Sequence, residues 1–127
     1  MAEARADYTL TFRRMGDLAA GQGDRVSESF AGVDGFADWL AAWRRRCGDE
    51  ATSAEARAAA MRGANPAFIP RNHLVEAALE AATGGDLAPF ERLRAALERP
   101  YDDQPERADL AEPPGDEQWR YRTFCGT

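Results

Sequence analysis

The chain has 127 residues, 44% of them hydrophobic, with a net charge of −6 and an isoelectric point near 4.8. That length fits one small domain with a modest core, and the acidity argues against a nucleic-acid partner, because phosphate contacts need a concentrated positive field. All sixteen basic residues are arginine, and the absence of lysine excludes a Walker A phosphate loop, a kinase-type ATP lysine and Schiff-base chemistry.

Helical periodicity runs through most of the chain, and no alternating strand pattern stands out. Asp7 is placed to cap a first helix whose apolar stripe is Tyr8, Phe12, Met15 and Ala19. The Ala19–Asp24 stretch "AAGQGD" ends it, and a polar loop is expected to about Asp34. Asp34 is the expected cap of a second helix with the stripe Phe36, Trp39, Leu40, Trp43 and Cys47, stopped at Gly48. Arg44, Arg45 and Arg46 then complement its dipole. Thr52 and Glu55 have capping-box spacing for a short third helix that runs to about Arg62. Ala56, Ala59, Ala60 and Met61 give it a shallow face that a neighbour can approach closely, and Gly63 stops it.

The stretch "NPAFIPRNHLVEAALEAATGGD", Asn65 to Asp86, reads as architecture. Pro66 turns the chain and Phe68 and Ile69 form an apolar plug. Pro70 suits the first turn of a fourth helix. Leu74, Val75, Ala78, Leu79 and Ala82 share one face of that helix, which closes at Gly84 and Gly85. Asp86 caps a fifth helix carrying Phe90, Leu93 and Leu97, broken at Pro100, so the last two helices form a hairpin. From Tyr101 onward the residues are acidic, then aromatic at Trp119, Tyr121 and Phe124, which predicts an extended arm needing a surface to lie on. The expectation is an all-α protein of about five amphipathic helices over residues 1–100, with an extended arm over 101–127 ending in Cys125.

Candidate chemistry is sparse. Cys125 is followed by the small residues Gly126 and Thr127, and Arg120 and Arg122 favour a thiolate if they fold back; the alternative is an incidental cysteine. Cys47 continues the Trp39 and Trp43 stripe and reads as a structural thiol. A disulfide between Cys47 and Cys125 requires their Cα atoms within about 7 Å. Arg71, Asn72 and His73 lie at a helix start, where anion contact is open to them, but Arg71 and Asn72 are favoured as a buried structural bridge and His73 for capping or tertiary hydrogen bonding. The acidic residues Asp102, Asp103, Glu106 and Asp109 lack the ligand order of a calcium loop. Two cysteines and one histidine give no zinc spacing, so no metal site and no catalytic residue are expected. The start "MAEARADYTLTF" has no signal-peptide pattern and no stretch reaches a membrane span, which predicts a cytoplasmic protein with no membrane partner.

Five segments in order carry a resemblance. "DYTLTFRR" (Asp7–Arg14), "WLAAWRRR" (Trp39–Arg46), the Asn65–Asp86 stretch, "LERPYDDQP" (Leu97–Pro105) and the terminal "FCGT" resemble the C-terminal region of the selenoprotein O family. The resemblance runs from about Asp7 to Thr127. It implies a protein-kinase-like enzyme that binds ATP with a divalent metal, magnesium or manganese, and transfers AMP to protein hydroxyls. This chain then corresponds to the last quarter or so. The kinase-like core would be its partner, in the same polypeptide or a separate one, and this chain alone would be inactive. Cys125 carries over as a redox-regulatory thiol, although the family commonly ends Cys-Ser-Ser and this chain ends Cys-Gly-Thr. The competing expectation is a stand-alone acidic helical module that binds a protein partner.

Overall fold

The computed structural model describes residues 3–115. Among them every regular element is helical, in two compact units, one ending at Pro66 and one beginning at Ala67. The expected all-α class is what forms.

In the first unit, α1 (Tyr8–Ala19) starts at the predicted cap, Asp7 Oδ1 accepting the Leu10 N–H at 2.8 Å. Its buried side differs from the expected stripe: Thr11, Arg13, Met15 and Gly16 face inward, while Tyr8 stays 68% exposed. The reason is the partner helix, α4 (Ala54–Ala64), against which α1 packs through Gly16. A Cβ at Gly16 would lie 3.5 Å from Arg62 Cγ and 3.6 Å from Met61 Cβ, so the helices meet closely, as the shallow alanine-rich surface suggested. The inward alanine of α4 is Ala58, however; Ala56, Ala59 and Ala60 are exposed. Arg13 Nη1 donates to the carbonyl oxygens of Arg62 (3.1 Å) and Asn65 (3.0 Å), groups a helix end leaves without internal donors.

Where a polar loop was expected, a short helix forms, α2 (Arg25–Ser29). Asp24 accepts from the Ser27 N–H at 3.0 Å and from its hydroxyl at 2.8 Å, and Val26 and Phe30, four residues apart, both bury. That combination of cap and apolar pair is enough for one turn. Met15, Val26 and Phe30 make the core of the unit.

The helix α3 (Phe36–Asp49) begins after Gly35, whose φ of 76° is left-handed, and makes no side-chain cap; Asp34 is not its cap. Gly48 lies inside α3 rather than stopping it. Ser53, not Thr52, caps α4, accepting the Ala56 N–H at 3.2 Å. Arg57 holds the intervening loop, donating to Glu50 (3.1 Å), to the Thr52 carbonyl (3.0 Å) and to the Cys47 carbonyl.

The second unit is built on the predicted hairpin of α5 (Asn72–Thr83) and α6 (Ala88–Leu97). Pro70 precedes the cap residue Arg71 instead of entering the helix. Gly85 (φ 90°) makes the reversal between the helices. Asp86 acts one residue earlier than a cap, its Oδ1 accepting the Ala88 N–H at 2.9 Å, with Leu87 as the N-cap. The amides of Ala67 and Phe68 both donate to the Pro100 carbonyl, at 2.7 and 3.1 Å.

Part of the expected extended arm is helical instead. Pro105–Ala111 forms a 3-10 helix whose Leu110 joins Ala67, Phe68 and Ala96 in the core of this unit. The buried Gln104 donates Nε2 to the carbonyls of Ala96 (3.0 Å) and Arg99 (2.9 Å), and so ties this turn to the end of α6.

Candidate functional site

Cys125, like Trp119, Tyr121 and Phe124, lies outside the described residues. Arg71 and His73 are placed, and they face different surroundings. Arg71 is 7% exposed and donates Nε to the Ala111 carbonyl at 3.0 Å, holding the 3-10 helix to the start of α5. Asn72 is exposed, so only Arg71 of the expected pair makes a buried bridge, and His73 is half-buried. Burial, then the positive charge of Arg71, lowers the His73 pKa below its ordinary value of 6.5, which favours neutral imidazole.

The acidic stretch is largely neutralised by arginines. Arg92 grips both oxygens of Asp109, at 2.7 and 2.6 Å, and that hydrogen bonding lowers the Asp109 pKa. Arg107 pairs with Glu106 at 2.7 Å and Arg99 with Asp102 at 3.5 Å. Among the described residues, no group of three or more His, Cys, Asp or Glu side chains is arranged to hold a metal ion. Among them too, no helix is long and apolar enough to cross a membrane. In the Arg44–Arg46 run, Arg44 reaches Asp24 at 2.8 Å. Burial would raise the Asp24 pKa, but hydrogen bonds from Ser27 and then Arg44 bring it below the ordinary value.

What the described residues do present is apolar surface. In the first unit an apolar cleft of about 420 Å³ lies between α1 and α3, walled chiefly by Phe12, Met15, Phe30, Phe36, Trp39 and Trp43. Phe36 stacks on Phe30 at 4.5 Å, with Trp39 beyond it at 5.7 Å. Trp39 is nevertheless 51% exposed, and of the predicted α3 stripe only Leu40 is buried. In the second unit a smaller groove of about 220 Å³ follows Val75, Leu79, Phe90, Leu93 and Leu97. Leu79 there is 54% exposed, against the expectation that it is core; Ala78, Leu93 and Ala96 take that role. Neither wall offers a nucleophile and base in reach of each other. The chemistry available is burial of apolar side chains. Sequence reasoning found the aromatic residues but assigned them to an interior. Periodicity shows that a helix face is apolar and carries no signal of whether another element covers it.

No family model matches the chain. Individual proteins do. It is 55% identical over 130 residues to a protein nucleotidyltransferase of Bradyrhizobium sp. (strain ORS 278), an alignment covering 100% of this chain and 26% of that protein. It is 52% identical over 128 residues to the protein of that name from Rhizobium etli (strain CIAT 652), covering 96% of this chain and 25% of the relative. With a protein of that name from Methylorubrum extorquens it shares 50% over 136 residues, 100% of this chain and 27% of the relative. The chain thus spans about a quarter of the length of the curated relatives it matches. Identity at that level from end to end, on an all-helical body, means that the chain belongs to the selenoprotein O (YdiU) family of protein nucleotidyltransferases, as a match to its C-terminal region.

Proposed function

We propose that this chain is the supporting C-terminal helical part of a protein adenylyltransferase, and that it does not transfer AMP by itself. The observation that supports the reading is the pairing of an end-to-end match with a span of only 26% of the relative. In the described residues no carboxylate or imidazole cluster is available for a metal, and the sequence has no lysine to meet a nucleotide phosphate. These residues do not fit an ATP–metal centre, so ATP and its magnesium or manganese would be held by the remaining three-quarters. That kinase-like remainder is the partner, and the reaction it carries out is AMP transfer from ATP to protein hydroxyls in the cytoplasm. The helical body buttresses it, and Cys125 supplies a thiol for redox control.

The test is a chimaera in which this chain replaces the matching region of the Bradyrhizobium ORS 278 relative. Labelled ATP should yield AMP-modified protein with the chimaera, less with the relative truncated before that region, and none with this chain alone. Labelling by the chain alone, or a chimaera no better than the truncation, overturns the reading.

A further inference from the structure

The cleft of the first unit is built for one kind of occupant. α3 is 14 residues long, yet it buries only Leu40, and its aromatic side stands open towards α1. Of the nine lining residues only Thr11 carries a hydroxyl, which donates to the Asp7 carbonyl at 2.6 Å. Small-molecule sites combine apolar walls with a few placed polar groups that orient the ligand. Here the other polar groups are two indole N–H donors, of Trp39 and Trp43, with no charged or carbonyl group among the lining side chains to orient a small ligand. The walls reward insertion of aliphatic or aromatic side chains, which points to polypeptide.

Besides this chain's own Trp119, Tyr121 and Phe124, which intrachain crosslinks would reveal, two polypeptides are in question, a second copy and the rest of the family protein. Two copies would each bring a net charge of −6, and like charge opposes their association. The relative's remaining length, by contrast, is about three times that of the matched region and is tethered to it. A short tether gives an effective concentration of order millimolar.

We propose that the cleft between α1 and α3 receives an apolar segment of the family polypeptide's other three-quarters, which inserts side chains between Phe12 and Trp39. This rests on the functional reading above. α3 is then an interface helix: Trp43 packs against the core of its own unit where it walls the cleft, and the more exposed Trp39 faces the incoming segment.

The experiment uses the full-length chimaera with the photo-crosslinking residue p-benzoylphenylalanine at position 39, or at position 45 as an exposed control, followed by peptide mass spectrometry. Position 39 should crosslink to peptides of the relative's portion, and position 45 should not. In parallel, Trp39→Ala should speed tryptic cleavage of the chimaera roughly tenfold, the scale expected of a buried aromatic anchor. The same substitution in this chain alone should leave its urea midpoint nearly unchanged, which separates lost docking from lost folding. Crosslinks confined to this chain's own peptides, crosslinks between two copies, or unaltered proteolysis each overturn the inference. A chimaera that transfers AMP while position 39 fails to crosslink to the relative's portion sinks the docking site alone. One that crosslinks as expected but is inactive sinks the functional reading and leaves the contact standing.

Discussion

Gln104 shows how much one polar side chain can hold. It is 4% exposed, gives its amide hydrogens to two carbonyls near the end of α6, and accepts from Arg107 at 2.7 Å. Gln104→Ala removes two hydrogen bonds and leaves the Ala96 carbonyl with only backbone donors, the Arg99 N–H at 3.3 Å among them, and the Arg99 carbonyl with the Asp102 N–H at 3.2 Å. Urea denaturation should show a loss of about 1–3 kcal/mol, the net worth of two such bonds. Gln104→Glu should lose at least as much at neutral pH, because a carboxylate meets the same carbonyls. Gly16 makes the opposite point. A Cβ there finds ordinary contact distances, so Gly16→Ala should raise stability by about 0.5–1 kcal/mol through helix propensity, while Gly16→Leu should separate α1 from α4 and lower it. His73 gives a pH signature. Its folded pKa lies below the unfolded 6.5, so the unfolded chain binds the proton first. Stability attributable to His73 is therefore full above 6.5 and is lost as the pH falls from there through the lowered folded value. Subtracting the denaturation profile of His73→Gln from that of the wild type should isolate this slope.

At the scale of elements, α2 depends on Asp24 more than on its five residues. Asp24→Ala should cost about 1 kcal/mol, a typical N-cap loss. Asp24→Asn keeps the Oδ1 acceptor for the Ser27 N–H and gives up the Oδ2 acceptor of the Ser27 hydroxyl and of Arg44, the latter an exposed pair worth about 0–1 kcal/mol. Backbone NMR shifts of residues 25–29 should therefore stay helical in the second variant and move towards coil in the first. Periodicity along the chain revealed α1 and the α5–α6 hairpin because their caps, breakers and long apolar repeats agree. It missed α2 and the 3-10 helix, which are too short for a repeat and owe their existence to Val26, Phe30 and Leu110 finding a core. It also took Tyr8, Trp39, Leu79 and Phe90 for interior residues. A stripe reveals that a helix has an apolar face, not what lies opposite. The inward faces here are filled instead by Gly16, Arg13, Ala58 and Ala96, residues whose smallness or hydrogen bonding the apolar pattern does not register. The candidate cleft was legible in composition, as aromatic residues, but not in position.

At the scale of the whole molecule, a body this size that leaves aromatic walls open on one unit and a leucine-lined groove on the other has surface to cover. The isolated chain should bind a hydrophobic dye such as ANS, and that fluorescence should fall in the chimaera as those walls are covered. Equal dye binding in both would mean that the faces remain open in the longer protein.

Arg13 sits near the beginning of the first unit, and the two carbonyls it holds lie 49 and 52 residues further on. On a ribosome that separation becomes a delay. At roughly 5–20 residues per second, Asn65 is added about 3–10 s after Arg13. Until then those two carbonyls are not there for Arg13 to hold, and the Gly16 face has no α4 to cover it. The first helix must therefore wait for the fourth, and for whatever part of that wait it spends outside the ribosome a chaperone or a neighbouring stretch of polypeptide can reach it.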